Sequence, residues 1–406
     1  DTIDTKYIIA RLEDERKKRG DFFDLYCQQN LPLAFLAINE GGLTNAIGTI
    51  MNENKGFIKF SSGDLAEINQ QKEVAKRIVA GETFYLDGTS ALVLSETGLL
   101  EKIYEHLPNL KVPQSVITLL LEIKEKFRYM PGQVGHMGFA QGKLTFSSVD
   151  KDKRAMIQDH FEKSIKLLES KSQNIGVISA ANKSDCFSEQ RVPAELCDAC
   201  VLAQKESTPV LTEDFLYLQA NELETKKKAP EYCSAFALVR VLYEQKKISF
   251  DEYLNFFSYL SSYRFRFLPL STDDISNAVF GEGVITTIQP EKIRQLNFPL
   301  TLSEQYGVTF DTAFLVVGRF LIRVLVDDAI LPEVAERIFS EILSTFPTPK
   351  EKEMDKKALG KMFLRVSIQT INKMRQRIII GTRVQEKIDR LSQLTEFFGS
   401  KDLLLP

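Results

Sequence analysis

The sequence predicts an α/β fold: a mostly parallel sheet flanked by helices, with a helical segment before it and an all-helical domain after it. Three observations carry this expectation. Between Thr83 and Leu270, short β-rich runs alternate with helical runs, the order that builds a parallel sheet covered on both faces. Two of those runs stop abruptly at carboxylates, at Asp87 and at Glu213-Asp214. From about Asp273 the β-rich runs cease and only helical spacing remains. The expected boundaries are 1–80 for a helical segment or linker, 81–271 for the α/β domain with an insertion at 131–148, and 272–406 for the helical domain.

In chain order, Asp1 to Gly20 interleaves acid and base (ARLEDERKKRG) and reads as a solvated helix. Phe22 to Phe60 holds a helix (FFDLYCQQN), a second helical run after Pro32 and an apolar tail (GFIKF). Gly63 to Ala80 is another helix. The first strand is TFYL, ending at Asp87, and a helix follows it (ALVLSETGLL). The second strand is LKVP, and its helix places Val116, Leu119, Leu120 and Ile123 on one face, with Glu122 close by. Pro131 to Ser148 is Gly-rich and reads as an inserted hairpin. A helix over Asp150 to Ser172 leads to a third strand, IGVISA. Pro193 to Phe215 then supplies a helix bearing Asp198 and a fourth strand ending at Asp214. Cys233 to Tyr263 reads as two helices, and FRFLPL (265–270) as a fifth strand. Val308 to Leu343 and Lys357 to Phe398 are helical, separated by STFPTPKEKEMD, and Phe298, Phe314 and Phe320 fit core spacing.

Composition narrows the function classes. With 26% charged residues and a net charge of −3, any basic nucleic-acid surface must be local. No apolar run approaches the ~20 residues of a membrane span; Phe314 to Val326 is interrupted by Arg319 and Arg323. Five cysteines do not make a secreted disulfide framework, so a cytoplasmic location is expected. The chain opens on Asp1 rather than Met and reads as a fragment. Cys197 and Cys200 form a single CxxC; zinc needs more ligands, so they read as core residues.

The chemistry rests on four acids: Asp87 and Asp214 just after strands, and Glu122 and Asp198 on helices near the core. Parallel sheets place functional residues at the carboxyl ends of their strands. Carboxylates gathered there repel one another unless divalent cations neutralise them, and oxygen-only donors suit Mg²⁺ or Mn²⁺. Such ions activate water and stabilise charge on a phosphodiester in flight, without a nucleophile or a His base. That suits a chain with three His. Each acid also has a plain structural reading. Asp214 can cap the helix FLYLQANEL, and Asp87 can be a turn acid. Glu122 and Asp198 can lie on solvated faces.

Taken together, TFYLDGTSALV, PQSVITLLLE, LCDACVLAQ and LTEDF resemble the PIN-domain nuclease pattern. The resemblance spans about 81–270 and rests on four motifs in order. It implies that Asp87, Glu122, Asp198 and Asp214 are catalytic and metal-binding, with Thr89 and Thr212 as accessory hydroxyls. FRFLPL, followed by Ser-Thr-Asp-Asp, resembles the family's final strand. Two departures stand out: a long gap between Glu122 and Asp198, and the reading Asp-Gly-Thr-Ser at the first motif. A narrower resemblance, carried by LYCQQNLPLAFLA and VGHMGFAQGKLTF, is to large bacterial proteins with tetratricopeptide repeats, a Gre-factor-like domain and a C-terminal PIN. It implies a toxin-like effector in conflict or antiviral defence, with trigger-sensing repeats missing from this chain.

The resemblance implies a metal-dependent endoribonuclease leaving a 3′-hydroxyl and a 5′-phosphate. Two alternatives stand beside it: a DNA structure-specific nuclease with the same site, and a non-catalytic PIN-like module. In the latter the helical tail serves a regulatory partner or a homo-oligomer. Phosphate contacts would come from Lys226, Lys227 and Lys228, and from a basic C-terminal helix that includes Arg375 and Arg377.

Overall fold

The computed structural model describes residues 5–53, 55–129, 135–140, 143–148, 151–170, 175–176, 192–266, 268–281, 288–298, 308–347, 355–375 and 383–397. It divides into two compact units, Asp1–Ser249 with Ser262–Arg266, and Phe250–Ser261 with Phe267–Pro406.

The first unit opens with helices α1 (Thr5–Gln28), α2 (Leu33–Glu40) and α3 (Leu43–Asn52). The two helices expected before Pro32 are one continuous helix. The apolar tail is a strand, β1 (Ile58–Lys59), and α4 (Leu65–Val79) follows with Asp64 capping it. The α/β part runs β2 (Phe84–Leu86), α5 (Gly88–Glu96), α6 (Leu100–His106), β3 (Leu110–Pro113) and α7 (Gln114–Tyr129). The hairpin β4–β5 (Gly135–Ala140, Lys143–Ser148) comes next, then α8 (Lys151–Ser170), β6 (Ile175–Gly176), α9 (Ala194–Glu206), β7 (Val210–Leu211), α10 (Phe215–Thr225), β8 (Tyr232–Cys233) and α11 (Ala235–Glu244).

Five of these strands form one parallel sheet in the order β6-β3-β2-β7-β8. β2 is central, pairing Tyr85 with Lys111 on one side and with Val210 on the other. Its three residues Phe84, Tyr85 and Leu86 are all buried, as expected of a strand covered on both faces. The inserted hairpin is antiparallel, with Gly135 opposite Ser148.

One strand expectation is corrected. The run beginning at Phe265 does not join the main sheet. Phe265–Arg266 pairs in parallel with β1, as strand β9, in a separate two-stranded sheet. The fifth place is taken by Tyr232–Cys233, of which Cys233 is expected from sequence to open a helix. The shortness of both strands is the reason, because a two-residue strand has no periodicity to detect. Of IGVISA, residues 177–180 lie outside the described residues.

The second unit is helical. Thr272–Phe280 starts with a capping box between Ser271 and Asp274, so the Ser-Thr-Asp-Asp run is a helix start. Pro290–Gln295, Phe310–Val326, Pro332–Thr345, Lys356–Arg375 and Val384–Phe397 follow. Phe314 stacks on Phe363 at 4.1 Å, and Phe298 and Phe320 are buried. The Lys387 ammonium donates to the carbonyls of Val324, Leu325 and Asp327 at 3.0, 3.3 and 2.6 Å, closing the C-terminus of Phe310–Val326.

Candidate active site

β2 and β7 end side by side, Leu86 opposite Leu211, so the residues after them, Asp87 and Thr212-Glu213-Asp214, meet at one edge of the sheet. Asp87 turns from extended backbone into α5 and caps it, accepting from the Ser90 amide at 2.8 Å. Thr89 Oγ1 donates its single hydrogen between the two Asp87 oxygens, at 2.8 and 2.9 Å, and Thr212 Oγ1 donates to Oδ2 at 2.6 Å. Both hydroxyls also accept: Thr89 from the Glu213 amide at 2.8 Å, and Thr212 from the Asp214 amide at 3.1 Å. Asp87, Thr89, Thr212 and Asp214 are thereby one hydrogen-bonded set, each of them buried.

Asp214 caps two helices at once. Its Oδ1 accepts from the Tyr217 amide at 3.3 Å in the first turn of α10. Its Oδ2 accepts from the Ala34 amide at 2.7 Å in the first turn of α2. α2 begins after Pro32, which has no side-chain acceptor to offer its first amides. A carboxylate 180 residues away supplies one.

Glu213, which the motif reading passed over, is fully buried. Its Oε1 accepts from the Ala235 amide at 2.6 Å, at the start of α11, and from the Ser90 hydroxyl at 3.0 Å. Its Oε2 is buried with no hydrogen-bond partner. The available signal was alternation: at a strand end, a residue between Thr212 and Asp214 points to the opposite side.

Burial raises all three acids. Asp87 is pushed up to about 6 against the Ser90 amide and the Thr212 and Thr89 hydroxyls. Asp214 reaches about 7 despite the amides of Ala34, Leu33 and Tyr217, with the Asp87 charge adding to the rise. Glu213 reaches about 8, burial again dominating over the Ala235 amide.

Asp198 stands on α9, half-buried, with burial raising its carboxyl and the Ser115 hydroxyl opposing that rise. What lets α9 come close to Asp87 is Gly88: a Cβ there would lie 2.9 Å from Glu195 Cβ and 3.0 Å from its carbonyl oxygen. The departure Asp-Gly-Thr-Ser is therefore a close-approach position. Glu122 is exposed on α7, seven residues beyond Ser115. No hydrogen bond among the described residues joins Asp198 or Glu122 to the buried set.

Residues 85–222 match the family model of the PIN domain associated with the TPR-GreAB-C-PIN system. The PIN resemblance carried by the four motifs is borne out over that stretch, well under half of the chain. It contains Tyr85 and Leu86 of β2, β3, β7, Asp87, Glu122, Asp198 and Asp214. PIN domains are generally metal-dependent nucleases. No curated protein and no solved structure matches the chain.

The donor chemistry of the PIN-like edge, carboxylates and hydroxyls, is that of a hard cation. The arrangement is not a cation cage: among the described residues, no three His, Cys, Asp or Glu side chains gather to hold a metal. Helix N-termini engage these acids, α5 on Asp87, α11 on Glu213, and α10 and α2 on Asp214. Cys200 is buried within reach of the Asp87 charge, and burial first, that charge second, push its thiol up to about 12. His106 and His160 bond the carbonyls of Lys247 and Glu96.

Lys226 is the left-handed C-cap of α10 (φ 58°), and Lys227 and Lys228 follow it, all exposed. Arg375 ends a helix of the second unit, its side chain outside the described residues, as is all of Arg377. No helix among the described residues is long and apolar enough to cross a membrane.

Proposed function

We propose that this chain is a metal-dependent endoribonuclease of the PIN type, acting on RNA phosphodiesters in the cytoplasm as an effector of defence. The observation that carries the reading is Asp87. It is a buried carboxylate at the carboxyl end of the central strand, oriented by hydroxyls from two separate segments, Thr89 and Thr212. A surface turn acid needs no such bracing. Asp198 stands on α9, whose Glu195 packs against Gly88, and Glu122 is exposed on the neighbouring helix α7. Asp214 adds the fourth acid while holding α2 and α10. Mg²⁺ or Mn²⁺ is the cation class that suits such donors.

Cleavage of a labelled RNA by the full chain in Mg²⁺ or Mn²⁺ tests the reading. Asp87→Asn and Asp198→Asn should each lower the rate by about three orders of magnitude, the scale of lost electrostatic stabilisation. Full activity of Asp198→Asn would falsify it. A DNA panel run beside the RNA separates the structure-specific DNA nuclease.

The engagement of Asp87, Glu213 and Asp214 by helix ends favours a second reading, a PIN-like interaction module that has no cation. Calorimetric titration with Mn²⁺ decides between them. The nuclease binds the ion in a way that Asp87→Asn abolishes; the module shows no such binding.

A further inference from the structure

The cap that Asp214 places on α2 ties the acidic edge to a segment outside residues 85–222. Asp214 is buried, and main-chain amides take three of the about four acceptor positions on its two oxygens. Tyr217 donates to Oδ1 at 3.3 Å and Ala34 to Oδ2 at 2.7 Å, with the Leu33 amide as the third. Each helix N-terminus carries about half a positive charge. The α2 segment also brings a full one. The Lys59 ammonium is 7% exposed, bonded to the Gln29 carbonyl at 2.7 Å, and within reach of the Asp214 charge. A dication approaching Asp214 is repelled by two helix ends and by this ammonium. α2 is docked by Leu33, Ala34, Leu36 and Ala37 and spans eight residues. Pro32 precedes it, and two glycines in the left-handed region follow it, Gly41 (φ 75°) and Gly42 (φ 141°). A shift of its first turn is enough to take both of its amides off Asp214.

We propose that α2 is an autoinhibitory latch: docked on Asp214 it opposes divalent-cation binding at the sheet edge, and lifting its first turn opens that carboxylate to the ion. The latch rests on the nuclease reading for the role of Asp214. The opposing reading is that the α2 amides orient Asp214 as a ligand, so that their loss weakens ion binding, by about 10–100-fold. Lys59 favours the latch, because an orienting amide brings no net charge with it. By linkage, the factor by which docked α2 weakens the ion is the factor by which the ion loosens α2.

Mn²⁺ binding to the full chain is measured by calorimetry at about pH 8, where Asp214, pushed up to about 7, is ionised. Ala34→Pro deletes the amide on Oδ2, at a first-turn position that tolerates proline. The expected result is binding about tenfold tighter than in the wild-type chain, a common size for coupling between sites, and lost on adding Asp214→Asn. In the wild-type chain, saturating Mn²⁺ should quicken hydrogen exchange at Ala34 by about the same factor; this measurement decides if Ala34→Pro does not fold. Unchanged affinity, or exchange at Ala34 indifferent to the bound ion, reduces the contact to a helix cap and overturns the latch. Weaker binding, or slower exchange with the ion bound, overturns it in favour of the orienting role. Mn²⁺ binding to no folded chain removes the latch and the nuclease reading together. A chain that gains Mn²⁺ affinity through Ala34→Pro but never cuts RNA keeps the latch and loses the nuclease. One that cuts RNA with its Mn²⁺ affinity unaltered by Ala34→Pro does the opposite.

Discussion

At the scale of single residues, the sheet edge is a set of carboxylates kept partly neutral by burial, and that has a pH signature. Glu213 titrates near 8 in the folded chain against an ordinary 4.5. Between those values the folded chain holds a proton that the unfolded chain has released, so stability falls as pH rises and levels off above about 8. Asp214 and Asp87 act with the same sign over narrower windows, ending at about 7 and about 6. Melting temperature in a chelator should therefore drop from pH 5 to pH 8. Glu213→Gln keeps an acceptor for Ala235 and Ser90. It should remove one proton's share of the slope, about 1.4 kcal/mol per pH unit at its steepest; an unaltered slope refutes the assignment. Gly88 offers a second check. Gly88→Ala forces a methyl against Glu195 on α9 and should cost about 1–3 kcal/mol in urea unfolding, the range for overpacking.

Among the elements, α2 and α10 share one cap. Asp214→Ala strips acceptors from the Ala34 and Tyr217 amides together and leaves both buried. The expected loss is about 2–5 kcal/mol, and hydrogen exchange should quicken at Ala34 as well as at Tyr217. Protection retained at Ala34 would show that α2 does not depend on this carboxylate. In the second unit, Lys387→Met deprives the carbonyls of Val324 and Leu325 in Phe310–Val326, and of its cap Asp327, of their donor. Destabilisation of about 1–3 kcal/mol follows, read as faster exchange in that helix.

The first unit as a whole is closed by contacts that span its length. β1 pairs with β9, Ile58 opposite Phe265, and α2 reaches Asp214. The sequence boundary at 81 cuts both. A fragment of residues 81–271 keeps the five-stranded sheet but loses the partner of β9 and the second set of amides on Asp214. It should melt at least about 10 °C below the full chain, since a few kcal/mol correspond to several degrees in a domain of this size. An equal melting temperature would mean that residues 1–80 are dispensable to the fold.

The sequence by itself determined the fold class, the alternation of strand and helix, and the four-motif PIN pattern over residues 85–222. These depend on local periodicity and on acids placed at the ends of apolar runs, both of which a single segment displays. The Asp87–Thr89–Thr212 contact was partly legible, because adjoining parallel strands bring their carboxyl ends together. Three features were not. β8 and β1 are two-residue strands without a pattern of their own. Alternation puts Glu213 on the side opposite Thr212 and Asp214, but only the tertiary structure shows that α11 covers that side with the Ala235 amide. The bond from Ala34 to Asp214 joins residues whose separation carries no sequence signal. Only the tertiary structure could decide that helix ends, brought from four places in the chain, would cap these acids. An amide's partner is a matter of distance in space, and local pattern does not record it.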